Sequence, residues 1–281
     1  MFRLIFRIIL WSAIVFFGFT IGWVLFYKWV NPPITLFHMV DRAKVEECTY
    51  HYQWVDGEQI STNLKLAVVS SEDNHFMSHN GFDWEAIEKA QQYNATHKKQ
   101  RGASTISQQT AKNVFLWPAR SWLRKGLEAY FTVLIEFFWS KERILEMYLN
   151  VIEMGPCTYG VGAASGLYFD TTADKLTKEQ AALIASCLPN PKKFKLERPS
   201  AYMQKRKRKI MKLMKLLGDD YFERYGTTWT TENRDKKEAE VEKALEKIPV
   251  EDLLVPVVDE SNAQEIIDTT DVPAPLDTLG H

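Results

Sequence analysis

Two adjacent carboxylates, Glu72 and Asp73, close the apolar run Leu66-Ala67-Val68-Val69-Ser70-Ser71 in a chain of 281 residues. Phe76, His79, Gly81, Phe82 and Asp83 follow within one short loop. Ser61-Thr62-Asn63 is a helix start, so Leu64 to Ser71 reads as a short helix carrying Glu72 at its C-terminal end. Such a carboxylate has two readings. It is a solvated charge at a helix end, or it is a general base whose backbone is held still while its oxygens face a cleft. Asp73 beside it would raise its pKa by like-charge repulsion, toward values useful near neutral pH. Further on, Thr105-x-x-Gln108 is a capping box that opens a helix toward Asn113. Thr105, Gln109 and Lys112 then share one face of it. Arg124 and Glu128 stand four apart, which by itself reads as a surface ion pair worth about 0.3–0.5 kcal/mol.

The order of these pieces resembles a known family. Glu72-Asp73-x-x-Phe76-x-x-His79-x-Gly81-Phe82-Asp83 is similar to the first motif of the peptidoglycan glycosyltransferases, glycosyltransferase family 51. Arg101-Gly-Ala-Ser104-Thr105-Ile106-Ser-Gln108-Gln109-Thr-Ala-Lys112-Asn113 resembles the second, and Arg124-Lys125-Gly-Leu-Glu128 the third. Ser140-Lys141-Glu-Arg-Ile144-Leu145-Glu146-Met-Tyr148-Leu149-Asn150 resembles the fourth. Four motifs in order are very specific, and the similarity runs over roughly residues 31–218. Tyr159-Gly160-Val-Gly162-Ala-Ala164 resembles a fifth region, whose small residues suit close helix packing. In length and single domain the chain most resembles the monofunctional biosynthetic enzymes. The acyl-serine transpeptidase motif Ser-x-x-Lys does not occur.

The resemblance implies a lysozyme-like α-helical fold, with a large lobe and a smaller lobe near the membrane. It implies that lipid-linked sugars are joined into β-1,4 glycan with inversion and release of undecaprenyl diphosphate. Glu72 matches the base that deprotonates the GlcNAc 4-hydroxyl of the acceptor, lipid II. Glu128 matches the second essential carboxylate, acting at the diphosphate directly or through a divalent ion such as Mg or Mn. Lys112, Arg124 and Lys125 match the cations that hold the diphosphate, whose departure from a low-dielectric cleft is otherwise very costly. Ser104, Thr105 and Gln109 match polar donor-site residues. Asp73, Phe76 and His79 match substrate-site residues that shape the first-motif loop. Lipid II and a lipid-linked glycan strand are the implied partners, with cell-wall synthesis or division proteins as candidate companions and no nucleic acid.

The elements that must position these groups are mainly α. Asp83 caps a helix to about Asn94; further helices run over Leu123–Trp139, from Ser140, from the capping box Thr177-Lys-Glu-Gln180, and to Leu217. No run of alternating strands stands out. Lys205-Arg-Lys-Arg-Lys209 reads as a solvated face, or as a basic patch against an anionic bilayer. Ile8 to Tyr27 carries no charge and is long enough to span a hydrocarbon core of ~20 residues. Arg3 and Arg7 precede it, which places the N-terminus in the cytoplasm and the rest outside, at the bacterial inner membrane. Bulky Phe26, Tyr27 and Trp29 favour an uncleaved anchor over a signal peptide. The expected division is an anchor over 1–30, the glycosyltransferase domain over 31–230, and a charged, disordered tail over 231–281. Within that tail, Glu238 to Lys247 is a candidate charged helix. Cys48, Cys157 and Cys187 lack disulfide-framework or metal-ligand spacing and read as small buried residues. A net charge of −1 predicts no partner, whereas nine Trp suggest a membrane- or sugar-facing surface.

Two rivals stand beside this reading. A lytic transglycosylase shares the lysozyme-like core and a glutamate, but it needs a protonated acid and no cluster of cations. An inactive cell-wall scaffold would not need both Glu72 and Glu128.

Overall fold

The computed structural model describes residues 2–43, 49–119, 121–226 and 230–257. The first helix, α1 (Phe2–Trp29), is followed by α2 (Leu36–Arg42), strand β1 (His51–Tyr52), α3 (Thr62–Glu72), α4 (Trp84–Thr96) and β2 (Arg101–Gly102). Then come α5 (Ile106–Phe115), α6 (Trp122–Phe138), α7 (Lys141–Val151), β3 (Glu153–Gly155), β4 (Thr158–Tyr159) and α8 (Gly160–Phe169). The chain continues through α9 (Lys178–Cys187), α10 (Ala201–Leu217), α11 (Thr231–Leu245), α12 (Val250–Leu253) and β5 (Val255–Pro256). The mainly α class is as the sequence predicts. Strand β4 pairs with β1 in parallel and with β3 antiparallel, and β5 pairs antiparallel with β2.

Helix α3 is the centre. Ser61 caps it by accepting from the Asn63 amide, and its apolar residues Leu64, Leu66, Ala67, Val68 and Val69 are all buried. A helix that is apolar all round belongs inside. Helices α9 and α10 enclose it, while α5, α6 and α7 pack against one another beside it. The small residues of α8 permit close contact, as expected: a Cβ on Gly162 would stand 2.4 Å from the Gln53 carbonyl oxygen. At Gly160, where φ is +77°, an added Cβ would stand 2.5 Å from the Asn150 carbonyl oxygen.

Helix α1 extends past the expected Ile8–Tyr27 span at both ends. Its 28 residues reach about 42 Å, more than the ~30 Å of a hydrocarbon core. The C-terminal turns of α1, inside that span, dock on the body. Thr20 Oγ1 lies 2.7 Å from the Tyr130 hydroxyl, Trp139 Nε1 donates to the Val24 carbonyl at 2.8 Å, and Arg143 Nη2 donates to the Tyr27 carbonyl at 2.8 Å.

Two expectations are revised. The segment from 231, expected to be disordered apart from a charged helix over Glu238–Lys247, is helical from further upstream, over Thr231–Leu245, turns again over Val250–Leu253 and ends in β5. Its charge hides a sparse apolar set, in which Val241, Leu245 and Leu254 are buried. The tail beyond Val257 lies outside the described residues. The cysteines do not share one role either. Cys187 is free and buried, whereas Cys157 is disulfide-bonded; Cys48 lies outside the described residues.

Candidate active site

Glu72 is the last residue of α3, and its side chain is only 3% exposed. Its Oε1 accepts from Ser71 Oγ at 2.9 Å and faces Arg206 Nη2 at 3.5 Å. Its Oε2 accepts from Gln109 Nε2 at 3.0 Å. Burial raises its pKa, while Arg206, Gln109 and Ser71 oppose that rise by favouring the charged form. Repulsion from Asp73, the cause expected from the sequence, is the smallest contribution. The reason is orientation, because the Asp73 carboxylate is committed elsewhere.

Asp73 is the C-cap residue of α3 and is buried. It accepts from the Ile106 amide at 2.9 Å, at the N-terminus of α5, and from His79 Nε2 at 2.9 Å. The Gly81 amide donates to His79 Nδ1 at 3.0 Å, so Nε2 carries the proton that Asp73 receives. Gly81, at φ +90°, supplies a backbone turn that side chains disfavour, and its carbonyl accepts from Thr105 Oγ1 at 2.6 Å. Phe76 is fully buried, with Lys141 Nζ 4.7 Å from its ring centre. The side chains of Asp73, Phe76, His79 and Thr105 lock the first-motif loop onto α5, and the first three shape that loop as the resemblance implies.

On α5 the capping box is present as read, with Thr105 and Gln108 exchanging bonds. Gln109 then reaches Glu72, and its own Oε1 accepts from the Tyr148 hydroxyl at 3.2 Å. Ser104 is exposed at the lip of the cleft, where its carbonyl receives a 3.4 Å bond from Gln109. Lys112 lies one turn further along. Burial pushes its pKa down and Glu128 pulls it up. Lys112 makes no ion pair among the described residues; its ammonium stands 6.0 Å from the Phe37 ring centre.

Helix α6 opens with Ser121 as its cap and brings the third motif beside Lys112. Glu128 is buried, where a surface pair would have left it solvated. Arg124 Nη1 donates to its Oε2 at 2.7 Å, and Lys125 Nζ pairs with its Oε1. Arg124 Nε is buried without a hydrogen-bond partner. A buried donor of that kind is costly to leave unmet. As a metal site the residues fit poorly. Both oxygens of Glu128 are already held by cations, and among the described residues no three metal-ligating side chains gather.

The fourth motif is scaffold. Asn150 exchanges two 2.8 Å bonds with the Val55 backbone, and Glu146 accepts from the Gly57 amide at 2.9 Å. The residue that sequence reasoning missed is Arg206. It lay within a basic run read as a solvated or membrane face. Its signal was spacing: Met203, Arg206, Ile210, Leu213 and Leu217 fall on one stripe of α10, and the other four are buried. A basic residue on the inward stripe faces something, and here it faces Glu72.

The transglycosylase family profile matches residues 41–215 of the chain. The chain belongs to the transglycosylase family. It is 53% identical over 204 residues to a biosynthetic peptidoglycan transglycosylase of Bdellovibrio bacteriovorus, covering 71% of this chain and 82% of the relative. A protein of the same description from Bacteroides thetaiotaomicron is 52% identical over 208 residues, 73% of this chain and 84% of its own. One from Shewanella oneidensis is 45% identical over 219 residues, 76% and 94%. In this transglycosylase chain the matched span holds Glu72, Glu128, all three cations and Arg206, and it ends before α11.

Proposed function

We propose that this transglycosylase polymerises peptidoglycan glycan strands from lipid II. The carrying observation is that two buried carboxylates have unlike surroundings. Glu72 meets polar groups and one arginine, whereas Glu128 sits inside a cluster of Lys112, Arg124 and Lys125.

Glu72 takes the proton from the 4-hydroxyl of the acceptor GlcNAc. That oxygen bonds to the anomeric carbon of the donor strand, and the bond from that carbon to the undecaprenyl diphosphate breaks with inversion. Arg206 and Gln109 favour the charged form of the Glu72 carboxylate against its burial, and the charged form is the one a base needs. The leaving diphosphate carries its charge into the cluster of Lys112, Arg124 and Lys125 around Glu128, where Arg124 Nε is unpartnered. Should a divalent ion take part, the diphosphate oxygens must supply most of its shell, and no step above depends on it.

The raised pKa of Glu72 also suits the acid of a lytic enzyme, which would cut existing strands. The cations disfavour that reading, since strand cleavage yields no diphosphate. The deciding experiment gives the full-length protein in detergent labelled lipid II in one reaction and purified glycan strands in another. Glycan polymer from the first supports synthesis; cleavage of the second without polymerisation overturns it.

We place the catalytic domain outside the cytoplasm, anchored by α1 in the inner membrane. Arg3 and Arg7, in α1 ahead of its uncharged stretch, support this side, and a disulfide at Cys157 fits an oxidising compartment. Alkaline phosphatase fused after His281 should be active; an inactive fusion reverses the topology. Part of the domain also meets the lipid. Trp122, Val133 and Phe137 are 93%, 56% and 78% exposed along one stripe of α6, and Leu123 adjoins it. Tyr130 on the same stripe packs on Phe16 and Phe17 of α1. An apolar stripe continuous with a membrane anchor is an interfacial surface. Phe115 and Leu116, at the end of α5 shortly before this stripe, are core residues and take no part in it.

A further inference from the structure

We infer that residues 231–257 form a strap that closes the cleft beside Glu72, and that β5 must leave β2 before a sugar substrate reaches that carboxylate. The inference rests on the polymerase reading above. The strap begins beyond the span that the family profile matches, which ends at residue 215. It therefore adds to the transglycosylase domain.

Its course is specific. Helix α11 runs past the first-motif loop, where Glu242 stands 3.5 Å from His75 Nε2. At α12, Asp252 pairs with Lys209 on α10, the helix that also carries Arg206. Strand β5 then crosses to β2, with Val255 opposite Gly102 and Pro256 opposite Arg101. The Val257 amide donates to the Gln100 carbonyl at 3.2 Å. The strap thus ties α10 to the connection between α4 and α5, across the mouth of the cleft.

What it covers is the reacting end of the site. Glu72, Asp73 and Ser104 lie on one side of a cavity, and Leu245, Leu253 and Val255 of the strap lie on the other. That cavity measures 60 Å³, room for a handful of waters at about 10–15 Å³ of such space each. A disaccharide unit is many times larger. The closed strap and an occupied acceptor position therefore exclude one another on this side of Glu72.

The attachments suit reversible opening. The pairing with β2 is two residues long, and the ion pairs to Lys209 and His75 are partly exposed. Such pairs contribute little in water. The strap's buried apolar anchors are Val241, Leu245 and Leu254, few for a segment of this length, and segments with few buried apolar contacts are the ones that open locally.

A cross-link tests this in the full chain. Gly102 and Val255 face each other, and a Cβ on Gly102 meets nothing nearer than 3.6 Å, so Gly102→Cys with Val255→Cys can join the strap to β2. The oxidised double variant should consume lipid II about tenfold or more slowly than its reduced form, because the competent population is lost. Wild-type protein with and without reductant controls for the native disulfide. In parallel, Asp252→Lys sets two ammonium groups against each other and should raise the initial rate about two- to fivefold. A cross-linked protein as fast as its reduced form, or an Asp252→Lys protein slowed at unchanged melting temperature, would overturn the strap. Wild-type protein that forms no polymer would instead overturn the polymerase reading.

Discussion

Arg206 Nη2 stands 3.5 Å from Glu72 Oε1, a contact between side chains 134 residues apart in the chain. The guanidinium is the largest influence opposing the rise that burial imposes on the Glu72 pKa. Removing it should let that pKa climb further. Because a base must be ionised, the acidic limb of the pH–rate profile should move to higher pH in Arg206→Ala and less so in Arg206→Lys. Rates of lipid II consumption across pH measure this. A uniform loss of rate with an unmoved limb would assign Arg206 to folding alone.

Glu72→Gln should reduce polymerisation by about 10²–10⁴-fold, the range for loss of a general base. The fold should persist, because the amide still fills the site and can accept from Gln109. Turnover near wild-type level in a normally melting protein would remove Glu72 from the chemistry.

Lys125 and Arg124 should separate activity from stability. The Lys125 side chain is 44% exposed, so Lys125→Ala should cost activity with little change in melting temperature. Arg124→Ala leaves the buried Glu128 with one partner fewer and should cost both activity and about 1–3 kcal/mol of stability. Each variant needs one thermal melt, one polymerisation assay and one titration with a phosphoglycerate-bearing donor-site inhibitor such as moenomycin. Unchanged inhibitor affinity in both variants would argue against an anion site here.

Glu153 predicts a pH dependence of stability. Burial pushes its pKa up to about 7, against the pull of Lys192. A raised folded pKa means that folding favours the protonated form. Its contribution is complete below the unfolded value of about 4.3 and is lost as pH rises through about 7. The melting temperature should therefore fall between about pH 5 and 8, and Glu153→Gln should flatten that fall. Parallel curves for the two proteins would exclude Glu153 as the cause.

Trp122 should report on the lipid. In reconstituted full-length protein, brominated lipids should quench a share of the tryptophan emission that disappears in Trp122→Phe. An unchanged quenched share would place this face of α6 in water.

The local chemistry of this protein was legible in its sequence. Capping residues act on their near neighbours, so Ser61, Thr105 and Thr177 mark helix starts without reference to the rest of the chain. The uncharged stretch of α1 and the four ordered motifs are equally local signals. The tertiary structure decided which partners each polar side chain of these motifs takes. Thr105 and Asp73 belong to the same motifs as Gln109 and Glu72, yet they turn inward to Gly81, His79 and the Ile106 amide. Sequence spacing cannot register that choice, because it depends on partners brought in from other elements. Arg206 is the clearest instance. Its place in a basic run suggested solvent, and only the packing of α10 against α3 turned it toward Glu72. The strap is another, since three apolar residues in a charged segment become a wall only where a cleft awaits them.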